Sequence, residues 1–366
     1  MPQISFATNK RQFHIELNDR VKEYFKNTNQ SQRGNTKLFF KAFFIYAVVI
    51  ATYVALVFFQ PWPLWMNLLL LTVFGTFLAF IGFNVMHDSC HGAFSNNSRV
   101  NDVFGYSMNF LGAECRFWKV KHNVLHHTYT NVDGVDDDIF KPPFLRMSPH
   151  QAYNRLHKYQ SWYMLFLYGI STLFWVFFMD FTKYFTDKVY TTDLPKKTMK
   201  DHMSFWLTKL YYVGVYMVIP IIMVGFTKFL IGYLFFNFVM GNVMSVVFQL
   251  AHVVEGTTYA DASETGVLKI EEDWAVYQLQ TTYDFCPDNK FLTWALGGLN
   301  FQVEHHLFPK VSHVHYPEIR KIVKETARKY NVPHNEFNSF GEAVASHFRM
   351  MHSLGKREPV MAEVRS

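Results

Sequence analysis

Long apolar runs alternate with short polar segments along most of the chain, and this alternation predicts its elements. Leu38 to Phe59 is apolar and aromatic, interrupted only by Lys41 near its start, and Leu64 to Met86 carries no charge. At 1.5 Å per residue, either run crosses a hydrocarbon core of about 30 Å. Gln60-Pro61-Trp62-Pro63 between them reads as a turn, so the two form a helical hairpin. Three further runs follow, Ser161–Met179, Phe205–Phe226 and Phe229–Ala251. The last two predict a second hairpin turning at Thr227-Lys228. Val100, Val103, Phe104, Met108 and Leu111 recur at helical spacing and predict a helix lying in the membrane plane. Beyond Ala251 no run is long enough to span. Pro317–Tyr330, with proline at its first position, and a segment through Phe340, Val344, Phe348 and Met351 predict amphipathic helices there.

Histidines punctuate the ends of these runs. His87 and His91 follow the second run, His122, His126 and His127 come next, His252 follows the last run, and His305 and His306 come after it. Neighbours on a helix point about 100° apart, so an adjacent pair can serve two metal ions. Alone, a doublet is a weak signal. Eight histidines exceed one first-row metal site and match two sites of four or five ligands each, with imidazole suiting iron, zinc, copper and nickel. To share one centre, the groups must lie on one side of the membrane, which requires an even number of crossings between His127 and His252. The expected fold is therefore an all-α integral membrane protein with four transmembrane helices in two hairpins. Ser161–Met179 would lie in or against the interface, although it is long enough to span. The expected divisions are a polar N-terminal segment (1–37), hairpin 1 (38–86), an interfacial region with the first two histidine groups (87–204), hairpin 2 (205–251) and a helical cap (252–366). Lys10, Arg11, Arg20, Lys22 and Lys26 in the first segment put the open ends and the cap on the cytoplasmic side.

Composition narrows the class. Only 17% of the 366 residues are charged, against 50% hydrophobic, and this favours surface that faces lipid. Cys90, Cys115 and Cys286 are too few and scattered for a disulfide framework. Metal-bound histidines usually donate their second N–H to a carboxylate or carbonyl. Asp88, Glu304 and the Asp136–Asp138 run are candidates for that role, the last weighing equally as a solvated loop. Asn123 either orients a ligand or caps a turn. The remaining histidines, His313 and His334 among them, are expected in ordinary packing or capping roles.

These residues resemble the membrane-bound fatty acid desaturases from about Phe39 to Pro317. The resemblance rests on HDSCH, HNVLHHTYTN, the histidine in FQLAHVVEG, FQVEHHLFP, and the order of spans and boxes. It implies a cytoplasmic cap and a di-iron centre held by His87, His91, His122, His126, His127, His252, His305 and His306. Such a centre uses O2 and two electrons to form a cis double bond in an acyl chain. Gln302 stands where many members have histidine. It would bind iron directly, hold a water, or leave a position open. The glutamine is typical of the front-end branch, together with sphingolipid and some bacterial acyl-CoA members. The likeness is strongest to linoleoyl-CoA desaturase-like members without a fused cytochrome b5 domain.

Implied partners are an acyl-CoA or lipid-linked acyl chain, a separate ferredoxin or cytochrome b5 with its reductase, and no nucleic acid. The implied location is a bacterial inner membrane, or the endoplasmic reticulum in a eukaryotic cell. Trp118, Tyr129, Trp274 and Thr281 are candidate lining residues of an acyl tunnel, with ordinary packing as their alternative. Arg116, Lys119 and Lys121 would meet a headgroup phosphate or act as interfacial anchors. The basic N-terminal segment and Lys310–Lys329 would attract an acidic electron donor. Competing functions are a membrane di-iron hydroxylase, a sphingolipid desaturase and, more distantly, a metal transporter, which would carry its ligands within the spans.

Overall fold

Phe13, Leu17, Val21 and Phe25 recur every fourth residue and form the buried stripe of α1 (Gln12–Thr28). The computed structural model describes residues 3–8, 11–264 and 266–358, and Lys10 lies outside them. The Asn35 side chain accepts the Leu38 N–H and starts α2 (Thr36–Phe58). After the proline turn, α3 (Leu64–Cys90) runs past the apolar region and ends in the first histidine pair. The expected in-plane helix is shorter than its pattern. α4 (Ser98–Gly105) stops at Tyr106, and a separate turn, Ser107–Phe110, carries Met108 inward.

α5 begins at Cys115–Trp118 and continues as a π-helix over Lys119–His126. α6 (Arg155–Thr186), α7 (Met199–Val224) and α8 (Phe226–His252) follow. Among the described residues, five helices, α2, α3, α6, α7 and α8, are therefore long and apolar enough to cross a membrane. The second hairpin turns at Gly225 rather than at Thr227-Lys228. Gly225 has φ +82°, a conformation that glycine adopts without a Cβ penalty, and it lets α8 start at Phe226, three residues before the expected Phe229.

The helices meet through aromatic and small residues. Phe74, Leu78, Tyr216, Phe236 and Met240 form the core between the hairpins. α6 crosses α8 where Gly241 faces the Tyr168 carbonyl, and a Cβ there would run into that oxygen. Trp162, Phe166, Phe174, Phe178 and Phe185 stay exposed along one side of α6.

The helices after α8 include α9 (Trp274–Thr281), α10 (Gln302–Leu307), α11 (Tyr316–Lys329) and α12 (Phe340–Leu354). The stripe of α1 packs against Ile319, Val323 and Ala327 of α11 and against Ala275 and Leu279 of α9. The N-terminal segment thus shares a core with the helices after α8 and is not only a basic tail. Its strand Gln3–Phe6 also pairs in parallel with Val267–Ile270. The cations expected to draw in an electron donor are largely neutralised on α11. Arg320 and Lys324 pair with Glu336, Lys321 with Glu318 and Lys329 with Glu16.

Candidate metal centre

Each histidine group sits where helix winding changes or ends. α3 passes through a π-turn, Gly82–Met86, immediately before His87. His87 and His91 then lie one α-turn apart, the His91 N–H donating to the His87 carbonyl at 3.1 Å. In α5 the His127 N–H reaches back five residues to the His122 carbonyl at 3.0 Å. This i→i+5 winding is uncommon and recurs at functional sites. His252 is the last residue of α8, and α10 supplies His305 and His306.

Together they form two groups of ligand nitrogens. His87, His91, His122 and His305 make one, and His126, His252 and His306 the other, each with its ligand atoms within 4.8 Å of one another. His127 lies between them, its ring centroid 4.7 Å from His91 and 4.4 Å from His306. The Nε2 atoms of His87 and His127 both stand 3.1 Å from His122 Nε2. Metal–nitrogen bonds of about 2.0–2.1 Å put neighbouring ligand nitrogens about 3 Å apart, so this spacing suits a shared cation.

The hydrogen-bond pattern has the same polarity around the centre. Nε2 of His91, His126, His252, His305 and His306 is buried without a partner. In four of these five rings the opposite nitrogen is held, whereas His127 Nδ1 is buried without a partner. His126 Nδ1 faces Asp136 Oδ2 at 3.1 Å, His252 Nδ1 faces the Thr281 carbonyl at 3.3 Å, and His306 Nδ1 faces Gln278 Oε1 at 2.9 Å. His305 Nδ1 and the Tyr316 hydroxyl are 3.0 Å apart. Buried polar atoms without partners are rare, and five aimed into one space fit bound metal. Burial, then the neighbouring rings, holds His91, His122, His127, His305 and His306 well below the usual imidazole range. They are therefore neutral and able to ligate. Burial also disfavours charge on His126, but Asp136 and then Asp138 outweigh it and raise its pKa.

The other residues singled out in the sequence have separate places. Asp88 accepts from Ser312 Oγ and faces His313 Nδ1, both at 2.9 Å, so it ties the first box to the loop after α10. Asn123 donates to the Cys90 carbonyl at 2.9 Å and joins the first two boxes. Glu304 turns toward His334 and Asp284 rather than toward a ligand histidine. Gln302 is buried with Oε1 unpartnered, leaving a neutral oxygen available. Trp118 stacks on His122 with centroids 4.3 Å apart. Thr281 offers its backbone carbonyl, while its hydroxyl donates within α9. Tyr129 and Trp274 share a cavity of about 490 Å³ with Phe6, Arg11, His14 and Asp273.

Lys121 does not face a headgroup. It is buried against Asp138 at 2.6 Å and Asp137 at 3.6 Å, which makes the Asp136–Asp138 run a buried ion cluster instead of a solvated loop. Arg116 and Lys119 pair with Asp201 and Asp102. Sequence reading missed Tyr316, Gln278 and Thr130, whose hydroxyl lies 3.2 Å from His306 Nδ1. One usable signal was the spacing of Trp274, Gln278 and Thr281, which puts all three on one side of α9.

A helix-dominated bundle with apolar, span-length helices and a buried, polarised histidine cluster fits a membrane protein whose histidines are arranged to bind metal. A model of the fatty acid desaturase family matches residues 63–338, and the chain belongs to that family. It is an oxidoreductase that desaturates fatty acyl chains. It is 36% identical over 344 residues to an sn-1 linoleoyl-lipid 6-desaturase of Arthrospira platensis, covering 93% of this chain and 92% of that protein. An sn-1 linoleoyl-lipid 6-desaturase of Synechocystis sp. is 34% identical, with 95% and 97% covered. An acyl-lipid (8-3)-desaturase of Physcomitrium patens is 33% identical, with 94% and 72% covered.

Proposed function

We propose that this desaturase acts on linoleoyl chains esterified in membrane lipid and inserts a cis double bond at carbon 6. The observation that carries the carrier and position is the likeness, over nearly the full length of both chains, to two proteins named for that reaction. It favours a lipid carrier over the acyl-CoA suggested by the box sequences. Two iron ions would be held, one by His87, His91, His122 and His305 and the other by His126, His252 and His306, with His127 beside both. The chemistry iron supplies when bound is O2 activation strong enough to remove hydrogen from an unactivated methylene, which no acid–base side chain can do.

The chain's own residues do the rest. Asp136, Gln278 and the Thr281 carbonyl fix ring orientation, and Trp118 and Phe248 close the rings off from water. Two electrons arrive from a ferredoxin or cytochrome b5. Expression in a host lacking polyunsaturated acids, fed linoleate, should yield a product with its new bond at carbon 6. Pulse labelling should place that product in lipid before acyl-CoA. An alcohol product would indicate a hydroxylase, and first appearance in acyl-CoA would overturn the carrier assignment.

The four-span topology with cytoplasmic boxes is part of the same reading, with α6 lying against the interface. Asp180 and Lys183 of α6 are buried in ion pairs with Lys209 and Asp137, poor company for a hydrocarbon core. Near its other end, Gln160 bonds Arg146, so one loop runs beside both ends of α6. Cysteines introduced at 159 and 185 should label from the same face of sealed vesicles. Labelling from opposite faces would make α6 a fifth span.

A further inference from the structure

Beside the histidine centre, but facing away from it, three buried side chains converge from three segments. The strand Asp284–Phe285 pairs in parallel with Glu336–Phe337, and this register brings the preceding His334 alongside Asp284. α10 contributes Glu304, whose side chain leaves the helix about 100° from that of His305. Asp284 Oδ1 accepts the Val303 N–H at 3.0 Å. That leaves Asp284 Oδ2 and Glu304 Oε2 buried without partners. His334 Nε2 stands 3.2 Å from Glu304 Oε1 and 3.6 Å from Asp284 Oδ2.

We propose that Asp284, Glu304 and His334 hold a third divalent transition-metal ion, distinct from the two in the histidine centre. Two fully buried carboxylates facing one another repel, and something positive must lie between them. One ligand atom from each of the three residues can be chosen so that all lie within 4.8 Å of one another, and the 3.2 and 3.6 Å from His334 Nε2 to the two carboxylates are close to the roughly 3 Å between neighbouring ligands of a first-row ion. The far side of the imidazole faces a carboxylate as well, beyond hydrogen-bond reach, and Nδ1 has no hydrogen-bond partner. His334 Nδ1 is 3.7 Å from Glu336 Oε2, and Glu336 is itself fixed by Arg320 at 2.7 Å and Lys324 at 2.8 Å. A carboxylate behind the ligating histidine is the usual means of orienting it. One nitrogen and two carboxylate oxygens suit iron, manganese or zinc better than a thiolate-seeking ion. Bound there, the ion clamps the third histidine box to the strand pair beneath it. The proposal does not depend on the substrate or position assigned above.

Zinc is the probe. Full-length protein in detergent is stripped with chelator, reloaded with zinc, freed of excess and counted for metal per chain. Wild type should hold three ions, and Asp284→Asn or His334→Ala should hold two. Anomalous scattering at the zinc edge from wild-type crystals should give a peak between Asp284, Glu304 and His334, which needs no variant to fold. Two ions per chain with no peak there would mean that a shared proton alone joins the carboxylates, and would overturn the site. So would a third ion that persists in Asp284→Asn. His306→Ala should reduce zinc in the histidine centre and leave this peak intact. A wild-type protein with zinc here but none among the histidines would support this site while removing the metal centre from the proposed function.

Discussion

His305→Ala should abolish desaturated product while the protein stays in the membrane fraction. His305 belongs to the four-nitrogen group, is fully buried, and aims an unpartnered Nε2 into the centre. Alanine removes that nitrogen and leaves the other three rings with an incomplete coordination set. The loss should exceed the about 100-fold that marks the upper end for an orienting partner. Product per unit of membrane-bound protein, measured by gas chromatography of total lipid, is the test. Retained activity above a tenth of wild type would remove His305 from the ligand set. Tyr316→Phe provides the graded comparison. It deletes only the hydroxyl behind His305 Nδ1 and should leave a reduced, measurable rate.

Asp136→Ala should cost about 10- to 100-fold in metal affinity or turnover. One Asp136 oxygen faces His126 Nδ1 at 3.1 Å and also accepts the Asn131 N–H at 3.0 Å, while the other accepts the Asp138 N–H at 3.0 Å. The alanine therefore frees the His126 ring and loosens the turn that follows the second box. It also exposes a buried charge network around Lys121 to rearrangement. Asp136→Asn keeps the size and one acceptor oxygen, so it should fall between wild type and alanine. Metal content and product formed should drop together. A fall in thermal stability with metal content unchanged would make Asp136 a structural residue only.

The membrane helices and the histidine boxes were legible because each rests on a one-dimensional signal: an unbroken apolar run, or a fixed spacing. Thr36–Phe58 and Tyr316–Lys329 lie within two residues of the apolar and amphipathic patterns that predicted them. The turn at Gly225 was misplaced because Thr227-Lys228 is the more polar pair, while the chain needed a positive φ. Long-range partners were the harder part. Asp136 pairs with a residue ten positions away and was weighed evenly, whereas Tyr316 and Gln278 approach their histidines from other helices. Glu304 was assigned by adjacency to the ligand doublet, but adjacent helical residues point apart, and its side chain serves His334 instead. The packing role of α1 lies in a four-residue period of apolar residues, which the interleaved basic residues mask.

The winding of α5 bears on how the second box tolerates changes in length. His122 and His127 are five residues apart, and only the π-turn brings their Nε2 atoms to 3.1 Å. In an ordinary α-turn, the residue four positions along occupies the equivalent place. A box shorter by one residue and wound as α would therefore bring the same two rings together. The wide turn acts as an absorbed insertion: the extra residue is taken up in the backbone, and the ligand register across it is conserved.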